Sequence, residues 1–242
     1  MNFFSLLKRN FLYKFKKKTN IDLQANIDIS SLDKLFSFYN TDKANVVDGG
    51  RVIGHGFSMF YEKHLNYLRN AKINILEIGS FSGASAAAFA KYFPKAEIYC
   101  LDVNLLHFKF ASSRIHEYGM DISNQKMMNK FLNKINFFDK ILAFDFIIDD
   151  GSHIQSEQLI ALNFFYKFVK SSGFYIIEDY KFSNYFKHLN DVDDLKIDEV
   201  INNINNKKNF KSKFLSDETI KTLLKDNIII YEHKGNTKNS DI

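Results

Sequence analysis

The sequence predicts an α/β fold, doubly wound on a mostly parallel sheet, and three observations carry that reading. Short runs of β-branched and aliphatic residues alternate with longer segments of helical spacing. The short runs are almost continuously apolar, as strands covered on both faces must be. Glycine or proline stands where one pattern gives way to the other.

Residues 21 to 70 read as a mainly helical cap ahead of the sheet. INILEIGS, 73 to 80, is a strand ending in a turn, and GASAAAFAKYF, 83 to 93, is a helix that stops before Pro94. AEIYCLDV, 96 to 103, is the second strand, and a short third strand is expected near 114 to 121. SNQKMMNKFLNKI, 123 to 135, is helical, and ILAFDFIID, 141 to 149, is the strongest strand. Apolar residues at Leu159, Leu162, Phe165, Tyr166 and Val169 give a helix over about 155 to 170. Gly173 then turns the chain into the strand FYIIED, 174 to 179. After Lys181 the rhythm loosens into an Asn-, Asp- and Lys-rich stretch to about 213, and NIIIYEH, 227 to 233, closes the domain. Three regions are expected: a basic amphipathic segment over 1 to 20, the cap, and one domain over 71 to 242.

Charge narrows the partners. The 242 residues carry 33 Lys+Arg against 28 Asp+Glu, a balance that invites a nucleic-acid reading. Six of the cations, Lys8, Arg9, Lys14, Lys16, Lys17 and Lys18, fall in residues 1 to 18, which hold no acid, so the remainder has 27 basic against 28 acidic residues. The body is neutral, and no nucleic-acid partner is expected. The tail reads either as a helix packed on the domain with its lysines in water or as a peripheral contact with an anionic membrane. One cysteine, Cys100, excludes an internal disulfide and points to a cytoplasmic setting, at most at the inner face of the membrane. No apolar run is long enough for a spanning helix.

Candidate chemistry sits at the strand ends, where open α/β sheets bind ligands. Glu77-Ile78-Gly79-Ser80-Phe81-Ser82-Gly83 spaces its glycines four apart. That spacing is wrong for a dinucleotide pyrophosphate and argues against a nicotinamide enzyme. Asp102, at the end of the second strand, is placed either to accept both hydroxyls of a ribose or to cap the next helix. Asp149-Asp150-Gly151-Ser152-His153 and the pair Glu178-Asp179 would repel one another if brought together, unless a cation offsets them. Oxygen ligands at a water-accessible site suit Mg²⁺, with Mn²⁺ an acceptable substitute. Alternation along a strand means that Glu178 and Asp179 need not both bind. The competing reading has Asp149 and Asp150 capping the helix that comes after them. His153, three residues past Asp150, is positioned to take a proton from a substrate hydroxyl as a general base.

LEIGSFSGAS followed by YCLDVN resembles the cofactor motifs of class I S-adenosylmethionine-dependent methyltransferases. DFIIDDGSH and GFYIIEDY, with NTDK at 40 to 43 and GHGFSMFYEKHL at 54 to 65, resemble more specifically the magnesium-dependent mycinamicin and rhamnosyl sugar O-methyltransferases, over roughly residues 38 to 181. The resemblance implies a Rossmann-like, seven-stranded sheet and S-adenosylmethionine and Mg²⁺ as cofactors. It places Glu77, Gly79, Ser80, Gly83, Asp102, Asp121 and Asp149 around S-adenosylmethionine, with Asp121 by the adenine. It assigns Asp150, Glu178 and Asp179 to the metal, and His153 with Asp150 to catalysis. The expected substrate is a sugar hydroxyl, on a nucleotide-activated sugar or a surface polysaccharide unit, and a homo-oligomer is expected. A catechol-type metal-dependent O-methyltransferase and a non-catalytic S-adenosylmethionine-binding scaffold are the alternatives.

Overall fold

A computed structural model describes residues 3–45, 47–48, 51–52, 54–135, 142–181, 184, 186–225 and 230–233. The chain divides into two compact units, residues 1–119 with 233–242 and residues 120–232.

The first unit is built on three parallel strands, β1 (Asn74–Ile78), β2 (Glu97–Asp102) and β3 (Ile115–Gly119), with β2 in the middle. Glu77 stands opposite Cys100, and Asp102 opposite Gly119. Before the sheet run α1 (Phe3–Tyr13), α2 (Leu32–Tyr39) and α3 (Phe57–Leu65). The region expected to be a helical cap thus contains α2 and α3, and also a two-stranded ribbon of Val47–Asp48 and Arg51–Val52. Helix α4 (Ala84–Tyr92) is buried along nearly its whole length because small residues, Ala84, Ser85, Ala86, Ala87 and Ala88, fill its first turns and let neighbours approach closely. Phe36, Tyr61 and Phe89 stack edge to face beside it, with Phe36 and Tyr61 each within 5.4 Å of the Phe89 ring.

The second unit holds α5 (Gln125–Ile135), β4 (Phe144–Asp149), α6 (Gln155–Phe165), β5 (Val169–Glu178), α7 (Ile197–Asn205), α8 (Asp217–Lys225) and β6 (Ile230–His233). Strands β4 and β5 pair in parallel, and β6 lies next to β5. The α/β class with parallel strands is as expected. Among the described residues, however, three main strands per unit make six rather than seven, because the chain after Glu178 spends its length on turns and on α7 and α8 before β6. Residues 141 and 227–229 of two expected strands lie outside the described residues.

One boundary differs from the sequence reading. Val169 and Gly173, expected in a helix and a turn, both lie in β5. The pairing jumps from Phe144 opposite Val169 to Phe146 opposite Phe174, a bulge. A Cβ at Gly173 would lie 2.7 Å from the Asp145 carbonyl oxygen. The glycine therefore allows close backbone approach inside a strand rather than a turn. Lys170 Nζ bonds Asp145 Oδ2 at 2.8 Å across the bulge.

Cys100 is fully buried in β2, and burial together with Glu77 holds its thiol well above the usual range. It is expected not to react with a thiol-disulfide reagent in native protein at mildly alkaline pH and to react stoichiometrically in denaturant. Rapid native modification would contradict that environment.

Candidate active site

The glycine turn after β1 is fixed by its own backbone. Gly79 N and Ser80 N both donate to the Leu101 carbonyl, at 2.8 and 3.3 Å, and Gly83 N donates to the Ser80 carbonyl at 2.7 Å. Gly79 and Gly83 take φ of 85° and 70°, which glycine adopts without a Cβ penalty. A Cβ at Gly83 would also lie 2.4 Å from the buried Phe108 ring. Glu77 is fully buried, its Oε1 accepting from Ser85 Oγ, while Ser80 Oγ donates to the Glu77 carbonyl at 3.2 Å.

Asp102 ties the two strand ends together. Its Oδ2 accepts from Phe81 N at 2.7 Å and its Oδ1 from Asn104 N at 2.6 Å. Both carboxylate oxygens are thus oriented by backbone amides, and each keeps a further lone pair for a ligand hydroxyl. Phe81 holds a left-handed φ of 41° and is exposed, its ring tilted over His107 at 5.1 Å between centroids. Such a conformation is uncommon for a bulky residue and costs on the order of 1–3 kcal/mol. Nothing in the residue pattern signals it, since backbone strain leaves no composition trace.

In the second unit, the β4–β5 register sets Asp149 opposite Ile177, so the Asp149-Asp150 and Glu178-Asp179 motifs emerge together at the carboxyl ends. One ligand atom each from Asp150, His153 and Asp179 lies within 4.8 Å of the others, and all three residues are half-buried. Glu178 is buried and outside this cluster, and His153 stands in it instead. The cause is backbone geometry: His153 and Asp179 both adopt left-handed φ, 57° and 52°. The two carboxylate oxygens suit a hard divalent cation, and the imidazole nitrogen lies beside them.

The capping alternative finds no support at this helix. The residue preceding α6 is Ile154, with no side-chain cap, and Ser152 Oγ bonds Ile154 N and Glu157. Asp121, by contrast, closes an Asx turn, its Oδ1 accepting from Ser123 N at 3.0 Å and from Ser123 Oγ at 2.6 Å just before α5.

Asp149 is fully buried. Burial pushes its carboxyl up to about 7, with Asp150 and Glu157 adding to the rise, while the Gly151 amide and the Tyr175 side chain oppose it. Tyr175 is a neighbour that sequence reasoning misses, because it reads as one more apolar strand residue. Its hydroxyl is held well above the usual range by burial and by Asp149.

The known proteins that this chain is similar to are methyltransferases. No family model matches the chain. It is similar to L-olivosyl-oleandolide 3-O-methyltransferase of Streptomyces antibioticus, 29% identical over 178 residues that cover 70% of this chain and 42% of that protein. Mycinamicin VI 2''-O-methyltransferase of Micromonospora griseorubida is 28% identical, covering 61% of this chain and 35% of its own. Among solved structures, the MycE methyltransferase of the mycinamycin biosynthetic pathway, in complex with Mg and SAH, superposes with a TM-score of 0.54 at 25% identity, covering 66% of this chain and 42% of that one. The chain spans less than half the length of these relatives.

Asp149 generates a pH prediction. Its folded pKa lies above the unfolded value of 3.8, so the folded state holds a proton that the unfolded chain has released between about pH 4 and 7. The associated stabilisation is complete below the lower value and is lost as pH rises through about 7. With chelator present, Asp149→Asn should melt like the parent near pH 4 and several degrees higher near pH 8. A difference in Tm that does not change with pH would refute the assignment. Gly83→Ala should cost about 2–4 kcal/mol from strain and overpacking, read as a lower Tm and weaker S-adenosylhomocysteine binding.

Proposed function

We propose that the protein transfers a methyl group from S-adenosylmethionine to a sugar hydroxyl. The observation that carries this is the Asp150–His153–Asp179 cluster at the ends of β4 and β5. It gives a metal-binding donor set and an imidazole in one place, and the chain is similar to enzymes named as sugar O-methyltransferases.

Glu77, Gly79, Ser80 and Gly83 would shape the turn that takes S-adenosylmethionine, and Asp102 would accept from its ribose hydroxyls; the resemblance adds Asp121, by the adenine, and Asp149. Asp150 and Asp179 would hold Mg²⁺; Glu178, which the resemblance also assigns to the metal, is buried outside the cluster. When bound, the ion supplies positive charge beside the acceptor hydroxyl and lowers its pKa. His153, fixed in a left-handed turn, would take the hydroxyl proton, and S-adenosylmethionine would supply the methyl group and leave as S-adenosylhomocysteine. The chain's own contribution is placement: fixed backbone at Phe81, His153 and Asp179 holds the groups before substrate arrives. The acceptor is a nucleotide-activated sugar or a surface-polysaccharide unit, and the enzyme acts in the cytoplasm as a homo-oligomer.

Mass spectrometry of products from a panel of nucleotide sugars, using methyl-labelled cofactor, tests the reading. A product one methyl heavier on a sugar hydroxyl is expected, while label transfer only to catechols, or to nothing in the panel or in polysaccharide acceptors, would reject it. His153→Ala should bind S-adenosylhomocysteine normally and lose turnover on the order of 10²–10⁴-fold. Retained turnover would remove His153 as the base.

A further inference from the structure

Helix α1 is seated on the first unit by one face and shows a different chemistry on the other. Leu6 is buried, Asn10 Nδ2 donates to the Gly119 carbonyl at 3.2 Å, and Lys18 Nζ bonds both the Tyr13 hydroxyl at 2.7 Å and Glu117 Oε1 at 3.0 Å. Lys16 Nζ bonds the Leu106 carbonyl. The seat is tight: a Cβ at Gly119 would fall 1.7 Å from Asn10 Oδ1.

The opposite face is apolar and turned to solvent. Phe4 is 78% exposed, Phe11 59% and Phe15 75%, with Leu7 and Leu12 also exposed. At 3.6 residues per turn, Phe4, Leu7 and Phe11 share one stripe of α1, and Phe15 stands in the turn that follows Tyr13. The rings of Phe11 and Phe15 meet edge to face at 5.3 Å. Exposed Lys8 and Lys14 flank the stripe and exposed Lys17 follows it, whereas Lys16 and Lys18 are turned inward. No acidic residue occurs among residues 1 to 18.

We infer that this face of α1 docks on an anionic lipid surface, its phenylalanines entering the headgroup boundary and Lys8, Lys14 and Lys17 meeting the lipid charge. The ordinary packed-helix reading explains Leu6, Asn10, Lys16 and Lys18. It leaves three phenylalanines in water beside cations with no acid among them. An aromatic stripe bordered by lysines is the chemistry of an interfacial helix, and an anionic surface complements both parts. The seat on Gly119 lets such a contact hold the whole first unit at the membrane, independently of the methyl-transfer reading.

The test is flotation of the full chain with vesicles of phosphatidylcholine alone or containing phosphatidylglycerol. Binding to the anionic vesicles only, released by high salt, is expected. Phe4→Ser/Phe11→Ser/Phe15→Ser should lower partition on the order of a hundredfold. Lys8→Glu/Lys14→Glu/Lys17→Glu should lose at least about fivefold per lysine. Both variants should keep the parent's Tm and circular dichroism, since the substituted side chains are exposed. No flotation, equal flotation with both lipids, or a serine variant that floats like the parent would overturn the inference. A dimer that ignores vesicles and is dispersed by the serine variant would also overturn it, assigning the face to a second copy of the chain.

Discussion

The register between β4 and β5 is the constraint on which the rest of the candidate site depends. Asp149 opposite Ile177 delivers two acidic motifs, about thirty residues apart in sequence, to one end of a parallel pair. Parallel pairing cannot be made by a tight turn, and α6 supplies the crossover. A one-residue slip would exchange the faces of every side chain on β5 and would carry Tyr175 away from Asp149. The bulge at Gly173, pressed against Asp145, is where the pairing is adjusted so that the far end falls into step.

Left-handed backbone then aims the side chains. Three of the non-glycine residues with positive φ, Phe81, His153 and Asp179, stand in the turns that carry the candidate chemistry. For His and Asp the conformation is tolerable because they visit it more readily than most residues do, whereas for Phe81 it is a clear cost. The Asp102 carboxylate offsets that cost by accepting the Phe81 amide, so the residue expected to meet the ribose also holds the turn in shape. Strain kept at a site in this way fixes groups before a ligand arrives. Burial of Asp149 beside the cluster pushes its carboxyl up to about 7, so that below that pH it is mostly neutral and adds little negative charge among the acids.

Much of the fold was legible because strands buried on both faces have a nearly continuous apolar signature that ends abruptly in charge, as at Asp102, Asp149 and Glu178. Gly79 and Gly83 were legible for the same reason, as glycines at the end of such a run. Gly173 was not, since a glycine serves a turn and a close backbone approach equally well, and only Asp145 overhead decides between them. The alternation rule showed that Glu178 and Asp179 point apart. Which of the two reaches the cluster depends on the left-handed turn at Asp179, and sequence carries no trace of that angle. The amphipathic pattern of α1 was visible, but whether its aromatic or its polar face is buried depends on the seat on Gly119, a contact over a hundred residues distant.

The central claim is that Asp150 and Asp179 form, with their neighbours, a divalent-cation site. Calorimetric titration of Mn²⁺ into the metal-free protein tests it most directly. One ion per chain is predicted, with binding weakened at least tenfold by Asp150→Asn and by Asp179→Asn. His153→Ala should bind the ion nearly as the parent does, because the imidazole serves the proton. Absence of stoichiometric binding, or binding untouched by both aspartate substitutions, would contradict the claim.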